Sequence, residues 1–466
     1  MAAAWLPWNP RSQKRDLGHP VLWRVAREIL LLMSEASREV ARRIFSEAMA
    51  ATTVEAACAR VLRVRDGQLH AGEHSYDLAA FRSVQVISIG KAGATLFDAA
   101  RGLLPADLPV RAVISAPFPP QTLAAGDSYF AGGHPLPNAA SLQAASAALE
   151  LLATADERTL VLFLISGGAS AMFELPLDPA MTLAELIDLN RQLVASGASI
   201  RQINTVRKHL SAVKGGRLAA AAAAATKMSL LISDVPADAL DALASGPTLP
   251  DSTTVGQAID IMTEFLPAAS PARLLSALKE TPKCDDVAFQ NGRHFVLLDN
   301  ATLLDAAKES AERLGFTVTI DNTCDDWDYE DAANYLLGRS AELSTLHTKS
   351  CLLSGGEVTV RLPAISGAGG RNQQLALYAA QSLEKLKDIT VLSAGSDGID
   401  GNSLAAGAVA DQTTCLRARQ WGLDPAVFLA DFDASTFFES LGDTIITGHS
   451  GNNLRDIRIL LTGADF

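Results

Sequence analysis

Short, nearly continuous apolar runs recur along this chain, and each ends in small polar residues before a helical pattern begins. The first covers 84–89 and opens into Gly90-Lys91-Ala92-Gly93. The second, 160–165, runs into Ser166-Gly167-Gly168-Ala169-Ser170, and the third, 230–232, into Ser233-Asp234-Val235-Pro236. Helical periodicity fills the intervals at 139–155 and 182–196. A strand that is apolar along its length must be covered on both faces, and helices between successive strands cover a parallel sheet. In such sheets ligands bind at the carboxyl ends of the strands, where these small-residue loops fall.

The alternation weakens over 267–286, around Pro267, Pro271 and Pro282, and then resumes. Strand-like runs follow at 295–298, 316–320, 350–353, 358–362, 389–392, 444–446 and 457–461, with helices at 301–314, 329–343 and from Arg371. The expected fold is therefore α/β with two domains, 35–285 and 286–466. Each is a mostly parallel, Rossmann-like sheet with helices on both faces. A length of 466 residues suffices for two cores. Residues 1–34 read as an extension outside the fold, as an Arg-rich targeting peptide, or as a segment preceding a true start at Met33.

The formal charge of −13 argues against a general nucleic-acid binder. No stretch approaches the roughly 20 apolar residues of a membrane span. Five scattered cysteines without a C-x-x-C pair suggest reduced thiols in a cytoplasmic protein, with no structural zinc. Neither a G-x-x-x-x-G-K-[ST] loop nor a G-x-G-x-x-G turn occurs, so a nucleotide would need a less common loop.

Within this acidic chain no Asp or Glu occurs between Asp188 and Asp234, yet the gap holds Arg207, Lys208, Lys214 and Arg217. Read at helical period over 203–218, Ile203, Val206, Leu210 and Val213 share one stripe, with Asn204, Arg207, Lys208 and Lys214 opposite. Either a ligand supplies the missing anions, or acids distant in sequence do. The alanine run 219–225 extends this helix. Ser166-Gly167-Gly168-Ala169-Ser170 reads as an anion loop or a tight turn, and Ser354-Gly355-Gly356 repeats the pattern. Lys91 follows a strand end, where a point charge could meet a phosphoryl group. Arg371 opens a helix after Gly367-Ala368-Gly369-Gly370, against the helix dipole, which argues for a functional reason. Asp234, Asp397 and Asp400 sit in strand-end loops, as cation holders, proton acceptors or turn formers. His134-Pro135 and His449 read as loop residues.

In their order along the chain, these motifs resemble the class II glycerate 2-kinase family. They include Gly90-Lys91-Ala92-Gly93, Ser166–Ser170, Asn204-Thr205-Val206-Arg207-Lys208-His209-Leu210-Ser211, Lys214-Gly215-Gly216-Arg217-Leu218, Ser233-Asp234-Val235-Pro236 and Gly369-Gly370-Arg371-Asn372-Gln373. Asp397-Gly398-Ile399-Asp400-Gly401 is similar to the MOFRL domain that ends such chains. The resemblance implies ATP-dependent phosphorylation of D-glycerate at its 2-hydroxyl, with Mg²⁺, in an active site in the cleft between two α/β domains, and assigns Lys91 and Arg371 as the key cations. On this reading Ser166, Gly167, Gly168 and Ser170, with Ser354, Gly355 and Gly356, receive the nucleotide. Asn204, Arg207, Lys208 or Lys214 hold the substrate, and Asp234 or Asp397 the metal. The partner is a small molecule rather than a nucleic acid or membrane, and a homodimer is compatible with it. Ala169 stands where the family has a third glycine, and Thr447-Gly448-His449-Ser450-Gly451-Asn452-Asn453 also departs from its pattern. The rival readings are an NAD(P)H-dependent hydroxypyruvate reductase and a non-catalytic protein that binds small anions or nucleotides. Arg371→Ala is expected to cost at least about a hundredfold in kcat with little loss of fold.

Overall fold

The computed structural model describes residues 20–266, 272–386 and 388–463, without the side chains of residues 20–33, 237 and 238. A small antiparallel meander comes first: β1 (Leu62–Arg65), β2 (Gln68–Ala71) and β3 (His74–Asp77). The main sheet follows. Its strands are β4 (Ser83–Ile89), β5 (Val110–Ser115), β6 (Ser128–Phe130), β7 (Thr159–Ile165), β8 (Thr226–Ile232) and β9 (Gly292–Leu298). All run parallel, in the order β6-β5-β4-β7-β8-β9. β7 is buried at every position, as an unbroken apolar run between two helix layers must be. The chain winds outward from β4 through β6, then returns to β7 and winds the other way. The order therefore reverses between β4 and β7, and a crevice opens there at the carboxyl edge.

The second sheet comprises β10 (Thr317–Ile320), β11 (Ser350–Gly356), β12 (Ile389–Gly395), β13 (Gly407–Asp411), β14 (Thr444–Ile445) and β15 (Asp456–Thr462). Its order is β10-β11-β15-β12-β13-β14, and only β10 and β11 pair in parallel. The mostly parallel sheet expected here is corrected to a mixed one. No helix separates β12 from β13 or β14 from β15, so the chain turns straight back and each new strand lies antiparallel. The expected strand at 358–362 is reduced to one bridge at Thr359.

Two domain limits also move. β9 lies beyond 285, yet it pairs with β8 and completes the first sheet. Helix Pro20–Ala51 precedes the first sheet but packs on helix Asn300–Arg313 and on strands β12, β13 and β15 of the second. Its Ala41, Ile44, Phe45 and Ala48 are fully covered, and Arg38 pairs with Asp411. Of the extension expected over 1–34, residues 1–19 lie outside the described residues, and 20–34 belong to this helix.

Above the carboxyl edge of the first sheet lies a helical cap with its own core. Helices Leu183–Ala195, Ile200–Leu210 and Val255–Phe265 bury Leu189, Leu193, Val206 and Met262 against one another. Each begins with a reciprocal capping box: Thr182 with Glu185, Ser199 with Gln202, Thr254 with Gln257. The long basic helix expected over 203–218 stops at Leu210. Gly215 and Gly216 both adopt positive φ and turn the chain, and Arg217–Ala221 is a separate short helix.

Candidate active site

Three neighbouring strands of the first sheet deliver the expected loops to one place. β4 ends before Gly90-Lys91, β7 before Ser166-Gly167, and β8 before Ser233-Asp234. The loops lock together through the backbone. Lys91 N–H donates to the Gly167 carbonyl (2.9 Å), Ser166 N–H to the Ile89 carbonyl (3.0 Å), and Ala92 N–H to Ser166 Oγ (3.0 Å). Gly90, at φ +109°, sits so close that a β-carbon would lie 2.4 Å from the Ser166 carbonyl oxygen. Only glycine permits this approach. Ser166 thus joins two loops, with its hydroxyl buried, and is not positioned as a ligand group.

What the locking leaves free is informative. Among the described residues, the backbone N–H groups of Gly167, Gly168, Ala169 and Ser170 make no hydrogen bond. Among the described residues the Lys91 ammonium makes no hydrogen bond or ion pair, and it is exposed. Asp234 faces Gly167 so closely that a β-carbon there would be 2.0 Å from Oδ2. Burial raises the Asp234 carboxyl above its ordinary range, while Lys91 and Arg455 pull it back. His134 lies beside Lys91 over Gly168, and burial followed by the Lys91 charge holds its imidazole below the ordinary value.

This edge opens into a cavity of about 540 Å³, lined by His134, Gly168, Ser170, Glu174, Asn190, Arg191 and Arg207 among others. Arg207 donates through Nε to Asn190 Oδ1 (2.8 Å), and its two terminal nitrogens take no partner among the described residues. Beneath the floor, Lys214 Nζ donates to the Ser170 carbonyl (2.8 Å) and pairs with Glu174. Ser170 Oγ bonds Ser245 Oγ (2.9 Å), which reaches Asn204 Oδ1 (3.3 Å). Lys214 and Asn204 therefore support Ser170 from below and do not line the cavity. Lys208 is corrected: it is buried, with Nζ on Asp241 Oδ2 (2.8 Å) and Asp251 Oδ1 (3.3 Å). Of the two sources weighed for the missing anions, distant acids serve Lys208 and Lys214, while among the described residues Arg207 keeps its terminal nitrogens unpaired in the cavity wall, beside Arg191.

Ser354, Gly355 and Gly356 are also corrected. They form the buried end of β11. Gly355 N–H donates to Asn322 Oδ1 (2.8 Å) and Gly356 N–H to Asn300 Oδ1 (3.1 Å), while both carbonyls accept from Arg458. No N–H is left there for a phosphate.

Arg371 lines a second cavity of about 550 Å³ with Asp326, Glu357, Asp397, Asp400 and Asp456. It makes a bidentate bond to Asp456 (2.6 and 3.1 Å) and a further pair with Glu357 (2.9 Å). Burial opposes its charge, but these carboxylates more than restore it and raise its pKa above the ordinary value. Asp397 accepts from Ile399 N–H (3.2 Å), an Asx turn within this wall. Asp400 caps helix Arg371–Leu383 by accepting from Asn372 and Gln373 N–H (3.1 and 2.7 Å). Burial, opposed by those two donors, raises the Asp400 carboxyl to about 7.

Arg455 spans the seam between the two domains. It grips Asp325 with both terminal nitrogens (2.7 and 2.8 Å) and lies 3.7 Å from Asp326 of the second cavity's lining, and its charge reaches Asp234 at the end of β8 in the first domain. Arg455 and Glu174 carry no sequence signal, because their partners lie 130 and 40 residues away.

The fold and this seam define a two-domain α/β protein whose unpaired loop N–H groups and arginine-lined cavity lie at a strand-order switch. Residues 40–279 match the family described as a domain of unknown function, DUF4147, and residues 350–456 match the MOFRL family. A D-glycerate 2-kinase of Thermotoga maritima is 37% identical over 71% of this chain and 79% of its own. A relative from Agrobacterium vitis, provisionally named a hydroxypyruvate reductase, is 33% identical over 92% of this chain and 95% of its own. The crystal structure of a glycerate kinase from T. maritima superposes with a TM-score of 0.82 at 32% identity, covering 92% of this chain and 100% of that one. The chain belongs to the glycerate 2-kinase family.

Proposed function

We propose that the protein is an ATP-dependent kinase that transfers the γ-phosphoryl group to the 2-hydroxyl of D-glycerate, giving 2-phospho-D-glycerate and ADP. One observation carries this reading: a strand-end loop with four unpaired N–H groups lies beside an unpaired lysine, at the mouth of a cavity holding an arginine fork. Oriented N–H groups and a lysine suit phosphate oxygens, and a planar fork suits a carboxylate. The nucleotide phosphates rest on Gly167, Gly168 and Ser170, with Lys91 on the transferring group. Arg207 holds the glycerate carboxylate. Arg371 acts across the seam, once the anionic nucleotide competes with Glu357 for it.

Among the described residues no three His, Cys, Asp or Glu side chains form a metal cage. Mg²⁺ needs none when phosphates and waters complete its shell, and the Asp234 carboxylate, which takes no side-chain hydrogen bond, fits that single-ligand role. A Mg²⁺ ion held there would neutralise phosphate charge. The five unpaired cysteines support a cytoplasmic location.

The test supplies D-glycerate, ATP and Mg²⁺, follows ADP release, and adds enolase without a mutase. Consumption by enolase marks the 2-phosphate, and ADP without it contradicts the proposed regiochemistry. NADH oxidation on adding hydroxypyruvate would instead favour the reductase, for which no G-x-G-x-x-G turn occurs.

A further inference from the structure

From the sequence His134 reads as a loop residue only. It is placed by the chain leaving β6, and it lines the same cavity as Arg207, with Gly168 and Ser170 between them. A β-carbon on Gly168 would lie 3.2 Å from His134 Cδ2, 3.5 Å from its Nε2 and 3.0 Å from Lys91 Cγ. The Nε2 edge of the ring and the lysine stem therefore close over the same glycine. Neither ring nitrogen has a hydrogen-bond partner among the described residues.

An α-hydroxy acid carries its hydroxyl one carbon from its carboxylate. With the carboxylate on Arg207, the hydroxyl stays within the same small cavity, and a proton acceptor is needed there. The other charged groups facing this space do not supply one. Lys91, Arg191 and Arg207 are cations. Glu174 already accepts from Leu175 N–H, Ser211 Oγ and Lys214 Nζ. Asp234 lies on the Gly167 side, where the charges of Lys91 and Arg455 draw its carboxyl down without an ion pair among the described residues, and does not line the cavity.

Resting on the kinase reading above, we infer that His134 is the general base of the reaction. Nε2 accepts the proton of the substrate 2-hydroxyl as its oxygen bonds to the γ-phosphorus. The bond from that phosphorus to the bridging oxygen breaks, and ADP leaves with the electron pair. The imidazolium then returns its proton to solvent. His134 is exposed to solvent at the cavity mouth, and partial desolvation with the neighbouring Lys91 charge shifts its imidazole downward, toward the neutral form that can accept a proton.

The test compares the full-length wild type with H134Q, using D-glycerate, ATP and Mg²⁺ across pH 5 to 8. A positioned base contributes about 10²–10⁴-fold, so kcat should fall at least about a hundredfold while both KM values stay within about threefold. Wild-type kcat/KM should decline on the acid side, as the imidazole takes up a proton, and H134Q should lack that limb. Imidazole added to H134A should restore turnover. H134Q turning over within about threefold of wild type, or keeping the acid limb, overturns the assignment. Should H134Q fail to fold, the wild-type limb still answers. It must move to lower pH on warming, as an imidazole ionisation does and a carboxylate does not, and a limb fixed in temperature overturns the role of His134. An inactive wild type would sink the kinase reading itself, whereas an active wild type with an unaffected H134Q sinks only this inference.

Discussion

Two cavities of nearly equal size, about 540 and 550 Å³, flank the seam of this molecule with opposite electrostatics. The first presents Arg191 and Arg207 against Glu174, whose carboxylate is already satisfied, and the Lys91 stem lies over Gly168 of its lining. The second sets one arginine among five carboxylates. The same contrast runs through their backbones. The Gly167–Gly168 loop keeps its N–H groups unpaired among the described residues, whereas Gly355 and Gly356 donate theirs to Asn322 and Asn300. A bare anion is therefore stabilised in the first cavity and repelled from the second. Sequence likeness between two Ser-Gly-Gly segments says little about binding. What decides is whether the N–H groups already have partners.

Substitutions should separate the two sides. The largest effect is expected from Glu174→Gln, which strands the fully buried Lys214 ammonium beneath the Ser170 loop. Breaking a buried pair costs about 3–5 kcal/mol, and urea unfolding should show it. Next comes Lys91→Ala, which removes an exposed and unpaired charge. Turnover should fall about 10²–10³-fold with the urea midpoint unchanged. Near-normal turnover would remove Lys91 from the first site.

Arg371→Ala was expected from sequence to leave the fold nearly intact, and the structure revises that. Asp456 is almost wholly buried; Arg371 donates to both of its carboxylate oxygens, and the buried Arg458 lies farther off, at 3.9 Å. Arg371 is 35% exposed, so the loss should lie near the lower end of the buried-pair range, about 3 kcal/mol. Unchanged stability with depressed turnover would restore the simpler catalytic assignment.

The smallest effect concerns Asp400, whose carboxyl titrates near 7 in the fold and near the ordinary ~3.9 when unfolded. The folded state holds a proton that the unfolded chain releases. This contribution is complete below about pH 4 and is lost as pH rises through about 7. Between pH 5 and 8 the wild-type melting temperature should fall by on the order of 2 °C more than that of Asp400→Asn. Parallel slopes would contradict the buried, protonated state.

In the first domain β4, β7 and β8 were legible because they are nearly unbroken apolar runs, whereas β5, β6 and the β1–β3 meander gave no such signal and β9 was expected in the second domain. Its three site loops were legible because each follows such a run. In the second domain, β13 is Gly407–Asp411, too short and small-sided to stand out, and missing it concealed the antiparallel returns. The basic stretch around Lys208 appeared unpartnered because Asp241, Asp251 and Glu174 lie 33 to 43 residues away. His134 and Arg455 became visible only when folding brought Gly168 and Asp234 to them.

The central claim is that the small hydroxy acid occupies the cationic cavity and not the acidic one. A crystal structure with D-glycerate and a non-hydrolysable ATP analogue tests it most directly. The account predicts the glycerate carboxylate on the terminal nitrogens of Arg207 and the analogue's phosphates on the N–H groups of Gly167 and Gly168. Glycerate bound among Glu357, Asp400 and Asp456 beside Arg371 would contradict it.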